Sequence, residues 1–393
     1  MTDAKTAAEI TSLTPVLELL QAADQVFDEI GYPDASWRPL YHRHVLMLLS
    51  QAYLQIFATR VEQPDWVPHT GPLFPWGAAN HDTIYQFAPL DANGVYRVAG
   101  KKGSEIIASL MFRRGGPNTG EVHGAPLGEI DVQALSCGPD GKFSVVLSKE
   151  KPRECPGEWF AIPPLTTGLV ARHVTVEPTD VDGVWSIERL DRCGPPAIQD
   201  DVAERMRLMS SFVNRLNRLV ITWLKKQRDE SGVNRFVPER FQGHGGIALQ
   251  LYYQAVFELE ADEALILESE LPESVLYWSV QLFDPFYNAI DFVLHASARN
   301  FRQAHIDTDG KARFVIAKED PGVANWLDPA GYLRGGVMWR WHTASSFPEP
   351  TLKRVKLAQL ADHLPADVHR VDTAQRRAER ATRIAQYQSR RRC

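Results

Sequence analysis

With 393 residues, 44% of them hydrophobic and 23% charged, the chain has the composition of a globular protein large enough for more than one core. A net charge of -6 gives no electrostatic basis for a nucleic-acid partner. No uncharged apolar run approaches the roughly 18 residues of a membrane span, and MTDAKTAAEITSL has neither the basic nor the apolar region of a signal peptide. A cytoplasmic protein with no membrane partner is therefore expected. Cys137, Cys155, Cys193 and Cys393 are widely spaced with no CxxC pair, which fits a reducing compartment and argues against disulfides or a cysteine zinc site.

The first element is a helix over 14–31. Val16, Leu20, Ala23, Phe27 and Ile30 form one apolar stripe, Thr14-Pro15 reads as its start and Gly31 as its stop. A second helix runs from about Pro39 to Arg60, and four prolines then make 61–79 a long connection. From 80 to 195 the texture changes to short alternating runs joined by Asn93-Gly94 and Asp140-Gly141, the strongest short-range hairpin signal. Residues 196–249 hold a long helix striped by Met206, Met209, Val213, Leu216, Val220 and Trp223, capped from Asp200 or Asp201, then the loop Gly243-His244-Gly245-Gly246. A second β unit spans 250–360. The tail over 361–393 is rich in Arg and reads as a peripheral or frayed helix.

The β units repeat each other. DGKFSVVLSKEKPRECPGEWFAIPPLTTGLVARH from Asp140 returns as DGKARFVIAKEDPGVANWLDPAGYLRGGVMWRWH from Asp309. Tyr85 and Tyr253, Leu90 and Leu259, Trp159 and Trp326, and Arg172 and Arg340 are all separated by 167–169 residues. The period is far too long for a solenoid, so the chain is two copies of one β unit. The expected fold is mainly β with helical additions: a jelly-roll-like sandwich, or two packed sandwiches, with N-terminal helices and one long helix between the units.

NHDTIYQFAPLDANGVYRVAG and DPGVANWLDPAGYLRGGVMWRW resemble signature stretches of the family of domain of unknown function 1214, with its companion 1254-type domain. The resemblance runs over most of the chain and is sharpest at Asn325, Trp326, Leu327, Asp328, Gly331 and Arg340-Trp341. It implies a β-sandwich or jelly-roll fold and no particular reaction. In the first motif His81 stands before Asp82, where the resemblance leads one to expect proline; this adds a titratable imidazole.

Twinned residues are most economically structural, since buried Trp and paired Arg usually serve packing. Tyr85 and Tyr253 stay open as proton donors. The copies diverge over 111–129 and 283–303, and each divergent stretch carries a histidine a similar distance after a shared Phe: Phe112 to His123, Phe283 to His295. If the stretches are equivalent, both histidines face one cavity, where imidazole suits acid/base work. Asp291 and His81 join them as catalytic candidates. Arg113, Arg114 and Glu129, with Trp278, Gln281, Tyr287 and a lid residue His244, are the substrate-binding candidates. The bland alternative makes the histidines surface or satisfied core residues.

No metal or other cofactor is expected. The one His-x-His, His42-Arg43-His44, lies in a predicted helix where i and i+2 do not share a face. A dispersed set from His81, His123, Glu129 and His295 is the remaining metal alternative. GxGxxG, Walker and GxSxG motifs are all missing from the sequence. By elimination, the leading reading is a cofactor-independent lyase or isomerase acting by general acid/base chemistry on a small hydrophobic hydroxylated molecule, aromatic, terpenoid or steroid-like. The alternatives are a non-catalytic binder of an apolar molecule and a structural or interaction module, with homo-oligomers left open. Titratable side chains gathered at a pocket floor favour catalysis; a pocket lined only by Trp, Phe, Leu and Met favours binding.

Overall fold

The computed structural model describes residues 13–32, 34–155, 157–192, 194, 201–240 and 249–390. His244 and its Gly-rich loop, Asp200, Cys193 and Cys393 lie outside the described residues. Helices α1 (Thr14–Ile30), α2 (Arg38–Tyr53), α3 (Val202–Ser231) and α4 (Thr373–Ser389) accompany four β-sheets. Thr14 is the first residue of α1 rather than its cap, and Gly31 ends that helix in the left-handed conformation at φ 63°. Among the described residues no helix is long and apolar enough to cross a membrane.

The first unit contributes β1 (Val67–Pro68), β2 (Thr83–Pro89), β3 (Tyr96–Lys101), β4 (Ile107–Arg113) and β5 (Pro126–Asp131). It continues with β6 (Lys142–Ser148), β7 (Glu158–Ala161), β8 (Gly168–Val174) and β9 (Val184–Arg189). The second contributes β10 (Val237–Glu239), β11 (Gln250–Glu258), β12 (Glu263–Ser269), β13 (Val275–Phe283) and β14 (Ala298–Asn300). Then follow β15 (Ala312–Ala317), β16 (Trp326–Leu327), β17 (Arg334–Ala344) and β18 (Thr351–Lys356). The sheets run β1-β2-β8-β4-β5 and β7-β6-β3-β9 in the first unit, β10-β11-β17-β13-β14 and β16-β15-β12-β18 in the second. Adding nine to each strand number turns one order into the other. Both copies also share a parallel pair, β6 with β7 and β15 with β16, among otherwise antiparallel ladders.

Each unit is a sandwich with its own core. Ala88, Leu110, Leu169 and Ala171 of the first five-stranded sheet pack on Tyr96, Val98, Val145 and Leu147 of its partner. In the second unit Phe257, Val280, Trp339 and Trp341 pack on Leu265, Leu267, Phe314 and Ile316. The twinned tryptophans are scaffold. Trp159 Nε1 donates to Ser148 Oγ at 2.9 Å, and Trp326 Nε1 to Ala317 O at 2.9 Å, equivalent positions on β6 and β15. The twinned Asp-Gly turns place Gly141 and Gly310 at φ 77° and 82°, where a side chain would strain the backbone.

Strand register corrects one equivalence. Tyr85 stands opposite Arg172, and Tyr252, not Tyr253, stands opposite Arg340. Because side chains alternate, that one-residue difference sends Tyr253 to the other face. There it packs in the sandwich core and donates to Phe347 O at 2.9 Å.

Helices α1, α2 and α3 pack on one another and on Phe283, Phe286 and Met338 of the second unit. The basic tail is not frayed. Asp372 and Gln375 form a capping box that starts α4, and Tyr387 is buried against Phe292. Beyond the helix, Arg390 grips Asp182 with two bonds of 2.9 and 3.0 Å and donates to Asp82 O at 2.9 Å. Replacing Arg390 by Met removes the cation facing a buried carboxylate, a change that costs about 3 kcal/mol or more. Urea unfolding of Arg390→Met checks this, with partial recovery in Asp182→Asn/Arg390→Met; a single variant within about 0.5 kcal/mol of the parent contradicts it.

Candidate functional site

Alternation along the central strands decides what lies between the sandwiches. In β8, Leu169 and Ala171 enter the core, so Val170 and Arg172 emerge on the opposite face. In β17, Trp339 and Trp341 enter the core, so Met338 and Arg340 emerge. These outer faces border one cavity of about 200 Å³, walled by three twinned pairs: Tyr85 and Tyr252, Val170 and Met338, Arg172 and Arg340. Helix α3 adds Phe212, Leu216, Leu219, Val220 and Trp223; of the stripe legible in its sequence, Leu216, Val220 and Trp223 reach the cavity and Met206, Met209 and Val213 do not line it. Arg113, at the end of β4, and His123 come from the first divergent stretch, Tyr287 from the second, and His69 and Trp76 from the Pro-rich connection.

The two faces are pinned together at one end by buried polar groups. Tyr277 Oη donates to Asp82 Oδ2 at 2.8 Å, and Asn300 Nδ2 donates to Asp82 Oδ1 at 2.9 Å. Gln281 Nε2 donates to Ala79 O at 2.6 Å and accepts from Arg340 at 3.0 Å, while Arg340 also donates to Ala78 O at 2.5 Å. The segment leading into β2 of one copy is thereby fixed to β13, β14 and β17 of the other.

Around the cavity, the Arg172 and Arg340 guanidiniums sit 5.5 and 6.0 Å from the ring centres of Tyr85 and Tyr252. The buried Arg113 has its pKa pushed down to about 9 by desolvation and by Arg172, and is still cationic at neutral pH. The His69 and His123 rings stand perpendicular at 5.0 Å. Burial drives His69 down to about 3 and His123 well below the usual imidazole range, with Arg113 pushing both the same way, so both are neutral. His69 Nδ1 accepts from Gln55 Nε2 at 3.0 Å, whereas neither ring nitrogen of His123 has a hydrogen-bond partner among the described residues. Burial also raises Tyr252 to about 12 and Tyr287 well above 10, which keeps both as hydroxyl donors.

Of the residues singled out by sequence, the structure brings Tyr85, Arg113, His123 and Tyr287 together, with Gln281 one step behind through Arg340. His123 and His295 do not share a cavity. The stretch after β4 folds under α3, where Ser211 Oγ donates to Gly120 O at 2.8 Å; the stretch after β13 instead runs toward α2, where Asn288 meets His44 at 2.9 Å. His295 therefore lines a separate recess of about 420 Å³ with its Nδ1 2.8 Å from Asp328 Oδ2, and Asp291 there accepts from the Val293 and Leu294 amides. His81 is buried elsewhere, its Nε2 3.3 Å from Asp82 Oδ2 but without hydrogen-bond geometry. Trp278 is core, and Arg114 and Glu129 are exposed. His81, His123 and His295 thus line three different hollows, and no metal set forms from them.

Sequence reasoning missed Arg172, Arg340, Tyr252 and His69. A signal was present for the arginines: each interrupts an apolar strand, GLVARHV and GGVMWRWH, whose neighbours alternate into a core. A charge at that phase belongs to the opposite face.

Residues 258–343 match the family model described as protein of unknown function, DUF1214. This segment is similar to that family. It runs from the end of β11 through β17 and so contributes Tyr287, Met338 and Arg340 to the cavity. The chain as a whole is similar to the crystal structure of an uncharacterized protein from Burkholderia cenocepacia, at 28% identity and a TM-score of 0.81, over 88% of this chain and 96% of that one. A protein from Vibrio parahaemolyticus aligns at 12% identity and a TM-score of 0.46, over 86% of this chain and 100% of that one. No curated protein matches by sequence.

The buried imidazoles make stability depend on pH. His69 and His123 titrate near their ordinary value when unfolded and far lower when folded, so between those limits the unfolded state binds more protons and stability falls as pH falls. From pH 6.5 to 5 His69 supplies a loss of about 1.6 kcal/mol, and His123 acts in the same direction. Urea midpoints across that range are expected to fall less steeply in His69→Gln/His123→Gln than in the parent; equal slopes contradict the assignment.

Proposed function

We propose that the chain binds a small, largely apolar molecule carrying polar oxygen in the cavity between its twin sheets. The observation that carries this is a space of about 200 Å³ walled by Phe212, Leu216, Val220, Trp223 and Met338, yet studded with hydroxyl, imidazole and guanidinium donors. Ligand sites have this mixture of apolar wall and a few convergent polar groups. An apolar cavity of about 150 Å³ accepts benzene, so this one suits a single ring with short substituents rather than a steroid skeleton. The free thiols of Cys137 and Cys155 suit a reducing, cytoplasmic setting for that role.

A second reading makes the same cavity a cofactor-independent lyase or isomerase. His123 favours it, because an imidazole with two unpartnered nitrogens is available to a substrate. Its lowered pKa makes it a hydrogen-bond donor toward a developing oxyanion more readily than a strong base, and the arginines would stabilise the same charge. Binding ranks first because no described pair of titratable side chains at the cavity wall is hydrogen-bonded as a base and its orienting partner.

Thermal-shift and calorimetric titration with substituted single-ring aromatics is expected to show binding that Val220→Trp, which fills the cavity, abolishes while the variant stays folded. Binding that survives Val220→Trp places the site elsewhere. If a bound compound is also converted, His123→Ala is expected to lower turnover at saturating ligand by about 10²-fold or more; unchanged turnover removes the catalytic reading.

A further inference from the structure

Resting on the proposal that this cavity holds a ligand, we infer that the ligand is an anion: a carboxylate on an apolar body, docked at Arg113. Arg113, Arg172 and Arg340 all line the cavity, and none of the described lining residues is Asp or Glu. Buried cations are ordinarily matched by an acidic or strongly polar acceptor. Arg340 has its acceptors in Gln281 and the Ala78 carbonyl. Arg113 does not. It is 4% exposed, and among the described residues its one hydrogen bond reaches the Met111 thioether at 3.5 Å and its Nε has no partner.

His123 sharpens the position. Its imidazole is 8% exposed, both nitrogens lack partners, and the ring is close enough to feel the charge of Arg113. A neutral imidazole donates one N–H to an anion, and a guanidinium offers a planar fork that matches a carboxylate with two parallel bonds. Orphaned donors of two kinds therefore converge on one end of the space. From there the apolar stripe of α3, Phe212, Leu216 and Val220, receives the body of the ligand. The pseudo-symmetry of the fold is broken here: at the strand end where the second copy has the apolar ring of Phe283, the first copy has Arg113, whose donors face whatever enters.

Matched compounds separate this inference from the one beneath it. Calorimetric titration of the full chain with 4-methylbenzoate and 4-methylbenzamide is expected to show the carboxylate binding at least tenfold more tightly. Arg113→Met is expected to erase that preference, the carboxylate losing at least tenfold more affinity than the amide, and Arg113→Lys to keep part of it. Equal affinity of the two compounds for the parent protein overturns the anion inference and leaves the cavity as a ligand site. Binding of neither compound overturns both. Because the parent comparison needs no variant, a misfolded Arg113→Met does not rescue the inference, and a carboxylate preference untouched in a folded Arg113→Met assigns the anion to other residues and overturns it as well.

Discussion

Everything about this site depends on two sheet faces that must bury polar side chains against each other. Each copy of the β unit buries most of its apolar residues internally, between its own two sheets. What is left over, the outward phase of the central strands, carries Tyr85, Arg172, Tyr252, Gln281 and Arg340. When the copies meet, those groups lose water and must find partners. At one end they do, through Asp82, Tyr277, Asn300 and Gln281. At the other end the faces do not close, and the gap becomes the cavity. The same desolvation that makes the interface costly holds its histidines neutral and its tyrosines protonated.

The duplication explains why a cavity arises here at all. Two copies related by a shift of nine strands bring chemically equivalent residues to a shared boundary, Tyr with Arg from each side. Divergence then supplies the difference: β4 of the first copy ends in Arg113, while the corresponding end of β13 is Phe283, an apolar ring beside Tyr287 and Gly336. One side becomes a cluster of donors, the other a packed aromatic wall.

Much of the fold was legible in the sequence because it rests on local rules. The stripe of α3 announced its buried face, and the offset of Trp159 and Trp326 announced two copies of one unit; Asn93-Gly94 and Asp140-Gly141 mark turns but not hairpins, since each joins strands of different sheets, β2 to β3 and β5 to β6. The site was legible only in part. His123 and Arg113 were found from divergence between the copies. Similar spacing after Phe112 and Phe283 suggests a shared position for His123 and His295, but strand register makes Phe283 the counterpart of Arg113, and the first stretch meets α3 through Gly120 while the second meets α2 through Asn288. Tyr253 was chosen over Tyr252 because sequence offsets tolerate a one-residue slip that strand pairing does not. Arg172 and Arg340 were set aside as scaffold, since nothing in one chain's text says that two outward faces will be turned toward each other.

The most direct test is a crystal structure of the chain with a single-ring aromatic carboxylate at saturating concentration. The account predicts ligand density between Arg113 and His123 at one end and Phe212, Leu216 and Val220 at the other. Density only in the recess beside His295, or an interface cavity that stays empty at saturation, would contradict it.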